Sequence, residues 1–192
     1  GRVTVSPISG VAFGIALINL PIVGGPLHRP GGWGPYLSPR NTTLRGAIVV
    51  QLCADGVARV VAVTAPAGYG KTTLLAQWVE HDTRSSAWLS IARFDNDPMV
   101  LLDGIRAAMA SAGMVRDRER ALSGITSRNA FPVGVTRVIS DVDTSVEGLL
   151  VLDGAEQLHN SDSLAIVREL VEQLPGNVVL AIASRIDIGF PM

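Results

Sequence analysis

Ala65-Pro66-Ala67-Gly68-Tyr69-Gly70-Lys71-Thr72-Thr73 constrains this chain more than any other segment. Just before it, Arg59-Val60-Val61-Ala62-Val63-Thr64 is an apolar, β-branched run of strand length, the pattern of a parallel strand buried on both faces. Just after it, Leu74, Leu75, Trp78 and Val79 recur at helical spacing as far as His81, a stripe that faces a sheet. Strand, glycine loop and helix in direct succession specify a βα unit and an α/β fold. The loop also carries the only lysine of the 192 residues, the other fifteen Lys/Arg positions being arginine. A compact ammonium on a flexible stem serves phosphate as a point charge, whereas a guanidinium fork prefers bidentate geometry.

The pattern is that of a P-loop, G-x-x-x-x-G-K-[ST], with Ala65 at the first glycine position. Gly68 and Gly70 allow backbone angles and close approach that a Cβ would hinder. Ala67, Gly68, Tyr69, Gly70, Lys71, Thr72 and Thr73 then form a cradle in which loop N–H groups and the positive helix end converge on phosphates. Lys71 is expected to face solvent until phosphate arrives and then to reach the β- and γ-phosphates. The Thr72 hydroxyl is expected to ligate magnesium. A plain βα turn would use the same glycines for geometry alone, so a second motif matters.

Leu149-Leu150-Val151-Leu152-Asp153 supplies it: four aliphatics ending in an acid, the form of a Walker B strand whose aspartate holds magnesium through water. Many apolar strands end in aspartate before a turn, but together with the P-loop the pairing gains weight. Asn177 to Arg185 reads as a further long apolar strand, and ligands of open α/β sheets gather at the carboxyl ends of strands. Arg185 is therefore expected to sense a γ-phosphate, against the plainer reading of an arginine solvated after a strand.

Between these motifs, Ser86–Ile91 reads as a short strand. Asp97 then reads as the N-cap of a helix with Pro98 at its first position and Leu101, Leu102, Ile105 and Met109 as its stripe. Residues 113–132 are polar and irregular, Val135 to Val142 reads as helix, and Leu164 to Leu174 as another. Ahead of the P-loop strand, Asn41-Thr42-Thr43 offers caps for a helix with Leu44, Ala47, Ile48 and Leu52 on one face.

The formal charge of −1 gives no bulk reason to expect nucleic acid or an acidic membrane as partner. Arg116, Arg118 and Arg120 are interleaved with Asp117 and Glu119, which suits a solvated face better than a phosphate patch. The single cysteine, Cys53, excludes an internal disulfide and fits a reducing compartment, where it reads as a buried structural thiol. His28, His81 and His159 lack metal-ligand spacing. Val11 to Gly25 is almost wholly apolar but interrupted by Asn19 and Pro21. That is short of the about 20 apolar residues a spanning helix needs, and only Arg2 could serve as a basic n-region. Residues 1–37 are accordingly expected to be a poorly ordered or loosely docked leader and Gly/Pro-rich linker, with the nucleotide-binding domain in 38–192.

From Ala65 to Trp78 the chain resembles the P-loop segment of MalT-like ATPases of the STAND class, the nucleotide-binding domain of large LuxR-type regulators. Ala87-Trp88-Leu89-Ser90 with Asp95-Asn96-Asp97-Pro98 is similar to the family's next strand and turn. Leu149 to Leu158 resembles its Walker B region, Ala183-Ser184-Arg185 its sensor tip, and Ser38-Pro39-Arg40 its entry segment. The resemblance implies a P-loop sheet in which the sensor strand separates the Walker A and Walker B strands. It implies ATP or ADP with Mg2+ as cofactors, and Arg40 beside the cradle as a nucleotide-binding residue. Lys71 would act on the β/γ-phosphates, Thr72 and Asp153 on the metal, and Arg185 as sensor. It also implies a bacterial, cytoplasmic regulator whose sensor and DNA-binding domains lie outside this sequence. This chain alone would then not bind DNA, and nucleotide-dependent self-association can accompany the switch.

Two departures bear on chemistry. The family's second acid after the Walker B aspartate is replaced by Gly154, and Glu156 lies near but out of register, so hydrolysis is expected to be slow or absent. The sequence also stops soon after the sensor strand and reads as a truncated domain whose fifth core strand only the leader could supply. A small P-loop kinase with Arg93 and Arg116–Arg120 as substrate or lid arginines, and an interaction module with a vestigial site, are the competing readings.

Overall fold

Strands buried on both faces read as near-continuous apolar runs, and Val60–Val63, Leu149–Leu152 and Val178–Ala183 are such runs, buried throughout. In the computed structural model, which describes residues 15–19, 49–50, 52–53, 59–116 and 133–186, five strands form one parallel sheet. They are β1 (Ile15–Asn19), β2 (Val60–Thr64), β3 (Ser85–Ser90), β4 (Gly148–Asp153) and β5 (Val178–Ser184), in the spatial order β1-β2-β5-β4-β3. The P-loop strand β2 and the acid-tipped strand β4 are thus separated by β5, the order expected of a P-loop sheet with a central sensor strand. The fifth strand comes from the leader: Ile15–Asn19 pairs in parallel with Val60–Thr64.

Alternation along the strands divides the core in two. Val61, Val63, Leu149, Val151, Val179, Ala181 and Ala183 point to one face, where α1 (Lys71–His81) covers them with Leu74, Leu75 and Trp78. Val49 and Leu52, helical residues ahead of β2, are buried in the same cluster; Leu44, Ala47 and Ile48 of that helical stripe lie outside the described residues. Leu150, Leu152, Val178, Leu180 and Ile182 point to the other face. There they meet α2 (Pro98–Ser111), α3 (Val135–Ser140) and α4 (Ser161–Gln173), which completes three layers.

Side-chain caps set the starts of α2 and α4. Asp97 accepts hydrogen bonds from the N–H groups of Met99 and Val100, and Pro98 occupies the first helical position of α2. The fourth helix begins at Ser161, ahead of the Leu164 start read from its apolar residues, because Asn160 caps it through the Asp162 N–H. The third ends at Ser140, and Val142 instead forms an antiparallel bridge with Val115. Asn96 ties the turn before α2 to the start of α4: its Oδ1 accepts from the backbone of His159 and Asn160, and its carbonyl from Ser163 Oγ.

At the end of α1, Trp78 Nε1 and Arg84 both donate to Asp82, and the Arg84 guanidinium lies 6.0 Å from the Trp78 ring centre. Arg84 also donates to the Leu52 carbonyl, fastening the preceding helical residues to the sheet. Cys53 is half-buried there, not fully buried as the apolar pattern suggests, and burial first, then Asp82, push its thiol pKa up.

Candidate functional site

The carboxyl edge of the sheet brings the motif residues into one row. Thr64 pairs with Ser184, Asp153 with Ala183 on one side and with Ser90 on the other. Beyond that row opens a cleft of about 500 Å³ lined by the P-loop, the tips of β3 and β4, and Arg185. Of the residues singled out from sequence, Ala67, Gly68, Gly70, Lys71, Thr72, Thr73, Asp153 and Arg185 all line it. Tyr69 belongs to the loop but does not line the cleft, and Arg40 lies outside the described residues.

The loop geometry follows from its glycines. Gly70 takes a left-handed conformation, φ +77°, at the N-cap position of α1. The N-cap glycine has no side chain to cap that helix, and first-turn N–H groups left in this way can serve whatever enters the cleft. The Lys71 side chain departs from the solvent-facing pose expected for it. The residue is 9% exposed, and its Nζ donates to the carbonyls of Ala65, at 2.5 Å, and Pro66, at 3.2 Å. The bend that aims the loop over the sheet also brings its own carbonyls within reach of the ammonium. Burial holds the Lys71 pKa below the ordinary lysine range; Glu156 and Asp153 pull it back up, and Arg185 adds to the depression.

Asp153 shares the parity of Leu149 and Val151, so it faces α1 where β4 leaves the core. There Thr72 Oγ1 donates to Asp153 Oδ2 at 2.8 Å. Magnesium keeps several waters and takes one or two protein oxygens beside phosphate oxygens. A hydroxyl and a carboxylate oxygen already in contact at the cleft edge fit that requirement.

The chain then turns sharply. Gly154 has φ +92°, and a Cβ built on it would lie 2.9 Å from the Ile91 carbonyl oxygen. An acid side chain directly after Asp153 would strain this backbone and press its Cβ on the Ile91 carbonyl. The turn carries Glu156 into the cleft, where its side chain is only 12% exposed. Its Oε1 lies 2.9 Å from Arg185 Nε, and its Oε2 accepts from the Arg185 backbone N–H at 3.1 Å. Sequence reading noted Glu156 but not this partnership. It also missed Ser90, Ile91 and Gln157 as lining residues; Ser90 stands at the tip of a strand that pairs with β4, a signal visible only once the strand order is known.

No family model matches the chain. Among curated proteins, the likeness is to MalT. The chain is 29% identical to the HTH-type transcriptional regulator MalT of Yersinia enterocolitica over 150 residues, 76% of this chain and 16% of that protein. With MalT of Vibrio cholerae it shares 29% over 162 residues, 80% of this chain and 18% of the relative. The chain therefore spans less than a fifth of the length of these relatives. Among solved structures, C. elegans PCH-2 overlays 80% of this chain and 39% of its own at a TM-score of 0.41 and 18% identity.

Proposed function

We propose that this chain binds ATP and ADP with magnesium and serves as the nucleotide switch of a MalT-like, LuxR-type transcriptional regulator of the STAND class. The observation that carries the reading is the contact between Thr72 and Asp153. It joins the P-loop helix to the tip of β4 in one cleft with Lys71 and Arg185. In this reading the loop N–H groups and Lys71 bind the phosphates, Thr72 and Asp153 hold the metal and its water shell, and Arg185 reads the terminal phosphate. Bound magnesium would neutralise phosphate charge. Likeness to MalT over three quarters or more of the chain supports the regulatory setting. The regulator is read as bacterial and cytoplasmic, with DNA binding and inducer recognition residing in its other domains, and nucleotide-dependent self-association can accompany the switch.

Hydrolysis is slow in this reading, because Gly154 stands where a water-polarising acid would be and the cleft's other carboxylate beside Asp153, Glu156, is engaged by Arg185. A metabolite kinase fits less well. Arg93 does not line the cleft, Arg116 donates to Thr144, and Arg118 and Arg120 lie outside the described residues. Isothermal titration with ATP and ADP, with and without magnesium, tests the proposal: magnesium-enhanced binding of both supports it, and absence of binding to either overturns it.

A further inference from the structure

Glu156 is the one cleft-lining residue whose two carboxylate oxygens are both spent on Arg185. The guanidinium Nε meets Oε1 at 2.9 Å and the Arg185 backbone N–H donates to Oε2 at 3.1 Å. The two partners differ in freedom. The glutamate is 12% exposed and fixed by the short helical turn Ala155–Gln157, whose Gln157 and Leu158 N–H groups bond back to Gly154 and Ala155. The arginine side chain is 57% exposed at the end of a strand. In an exchange of partners, the arginine is therefore the group that moves.

The site's charges are balanced before any ligand enters. Lys71 and Arg185 face Asp153 and Glu156 around one cleft. Asp153 already receives the Thr72 hydroxyl, and a magnesium ion would take up its charge. The Glu156 carboxylate is compensated by Arg185 alone among the contacts described, and loses that partner if the arginine turns to a phosphate. It occupies, in charge and in hydrogen-bonding role, the place of an anionic oxygen beside the sensor arginine. If Lys71 and the loop hold the phosphates and Arg185 reads the terminal one, a diphosphate would leave this pair undisturbed, whereas a third phosphate would add negative charge beside Glu156.

We propose that Glu156 sets the selectivity of the cleft between nucleoside di- and triphosphates, because a γ-phosphate gains Arg185 only by taking it from Glu156. The inference rests on the nucleotide-binding reading above and deepens it. It makes Glu156 a specificity-determining residue that biases the resting site toward the diphosphate. The triphosphate-bound state is then one in which the β5 tip has changed partner. That gives the terminal phosphate a structural consequence at the end of the central strand.

The test compares affinities, not turnover. Titrations of the 192-residue chain with magnesium and either ADP or a non-hydrolysable ATP analogue give the triphosphate-to-diphosphate affinity ratio. Glu156→Gln keeps the size of the side chain and removes its charge. It is expected to raise that ratio about tenfold, chiefly by tightening the triphosphate. Glu156→Ala should shift it in the same direction and serves if glutamine perturbs the turn. Arg185→Ala should lower the ratio, and in the Arg185→Ala background Glu156→Gln should change it less than in the wild-type chain. A ratio that falls, or stays within about twofold, in both Glu156 variants would overturn the inference while leaving nucleotide binding intact. Failure of the unaltered chain to bind either nucleotide would overturn both.

Discussion

Thr72 Oγ1 donates a 2.8 Å hydrogen bond to Asp153 Oδ2, joining the first turn of α1 to the end of β4 across 81 positions of sequence. The contact exists because both residues leave their elements on the same side of the sheet. Asp153 follows Leu149 and Val151 in the alternation that faces α1. If the pair holds magnesium, Asp153→Asn should weaken ATP binding about ten- to a hundred-fold when magnesium is present, the worth of a charge-assisted contact of about 1.5–3 kcal/mol. In EDTA the same variant should bind like the parent. Titrations under the two conditions check this.

Lys71→Ala should lower nucleotide affinity by a similar ten- to hundred-fold. Its effect on stability should be small, no more than about 1 kcal/mol. The ammonium bonds to the Ala65 and Pro66 carbonyls, but burial opposes its charge, so removing it loses and relieves at once. Thermal unfolding beside nucleotide titration separates the two effects.

Placing an acid at Gly154 should not create an efficient hydrolase. At φ +92°, with the Ile91 carbonyl 2.9 Å from a built Cβ, Gly154→Glu and Gly154→Ala should both destabilise by about 1–3 kcal/mol. Turnover of the parent chain should stay below about 1 s⁻¹, the low end for ordinary enzymes. A Gly154→Glu protein as stable as its parent would show that the turn after β4 is not held as described.

Asp82 governs an acid limb of stability. Burial alone would raise its carboxyl pKa, but hydrogen bonds from Arg84 and Trp78 outweigh that and hold it below the ordinary carboxylate range. A folded-state pKa lower than the unfolded one adds stability that is present above about pH 4 and is lost as pH falls through the folded value. Asp82→Asn should cost about 1.5–3 kcal/mol at neutral pH, with the deficit shrinking below about pH 4. Chemical denaturation at pH 7 and pH 3 checks both parts.

How much of this could be read beforehand depends on how far apart the cooperating residues lie. The P-loop is contiguous, and its glycines, lysine and flanking periodicities each carry local meaning, so strand, loop and helix were readable together. Asp153 was readable because a strand tip is a local feature. The Glu156–Arg185 pair was not, since it needs the turn after β4 to meet the tip of β5, and only the strand order supplies that neighbourhood. The clasp of Trp78, Asp82 and Arg84 and the bridging by Asn96 depend in the same way on side-chain direction or on distant backbone. The Lys71 pose is not legible from the motif, which describes the loop around phosphate, while the loop's own carbonyls also lie within reach of the ammonium. That the leader alone could supply a fifth strand was legible, but not which residues form it: Asn19 and Pro21 argue against a long regular element, yet five residues suffice to pair with β2.

Amide hydrogen exchange with and without magnesium-ATP tests the central claim most directly. In the proposed function the nucleotide sits in the cleft formed by the P-loop, Asp153 and Arg185. Binding should therefore slow exchange at the N–H groups of residues 67–73, which would donate to phosphate, and leave α2 and α3 on the far side of the sheet unchanged. Binding that leaves 67–73 as exchangeable as before, with protection appearing elsewhere, would contradict the account.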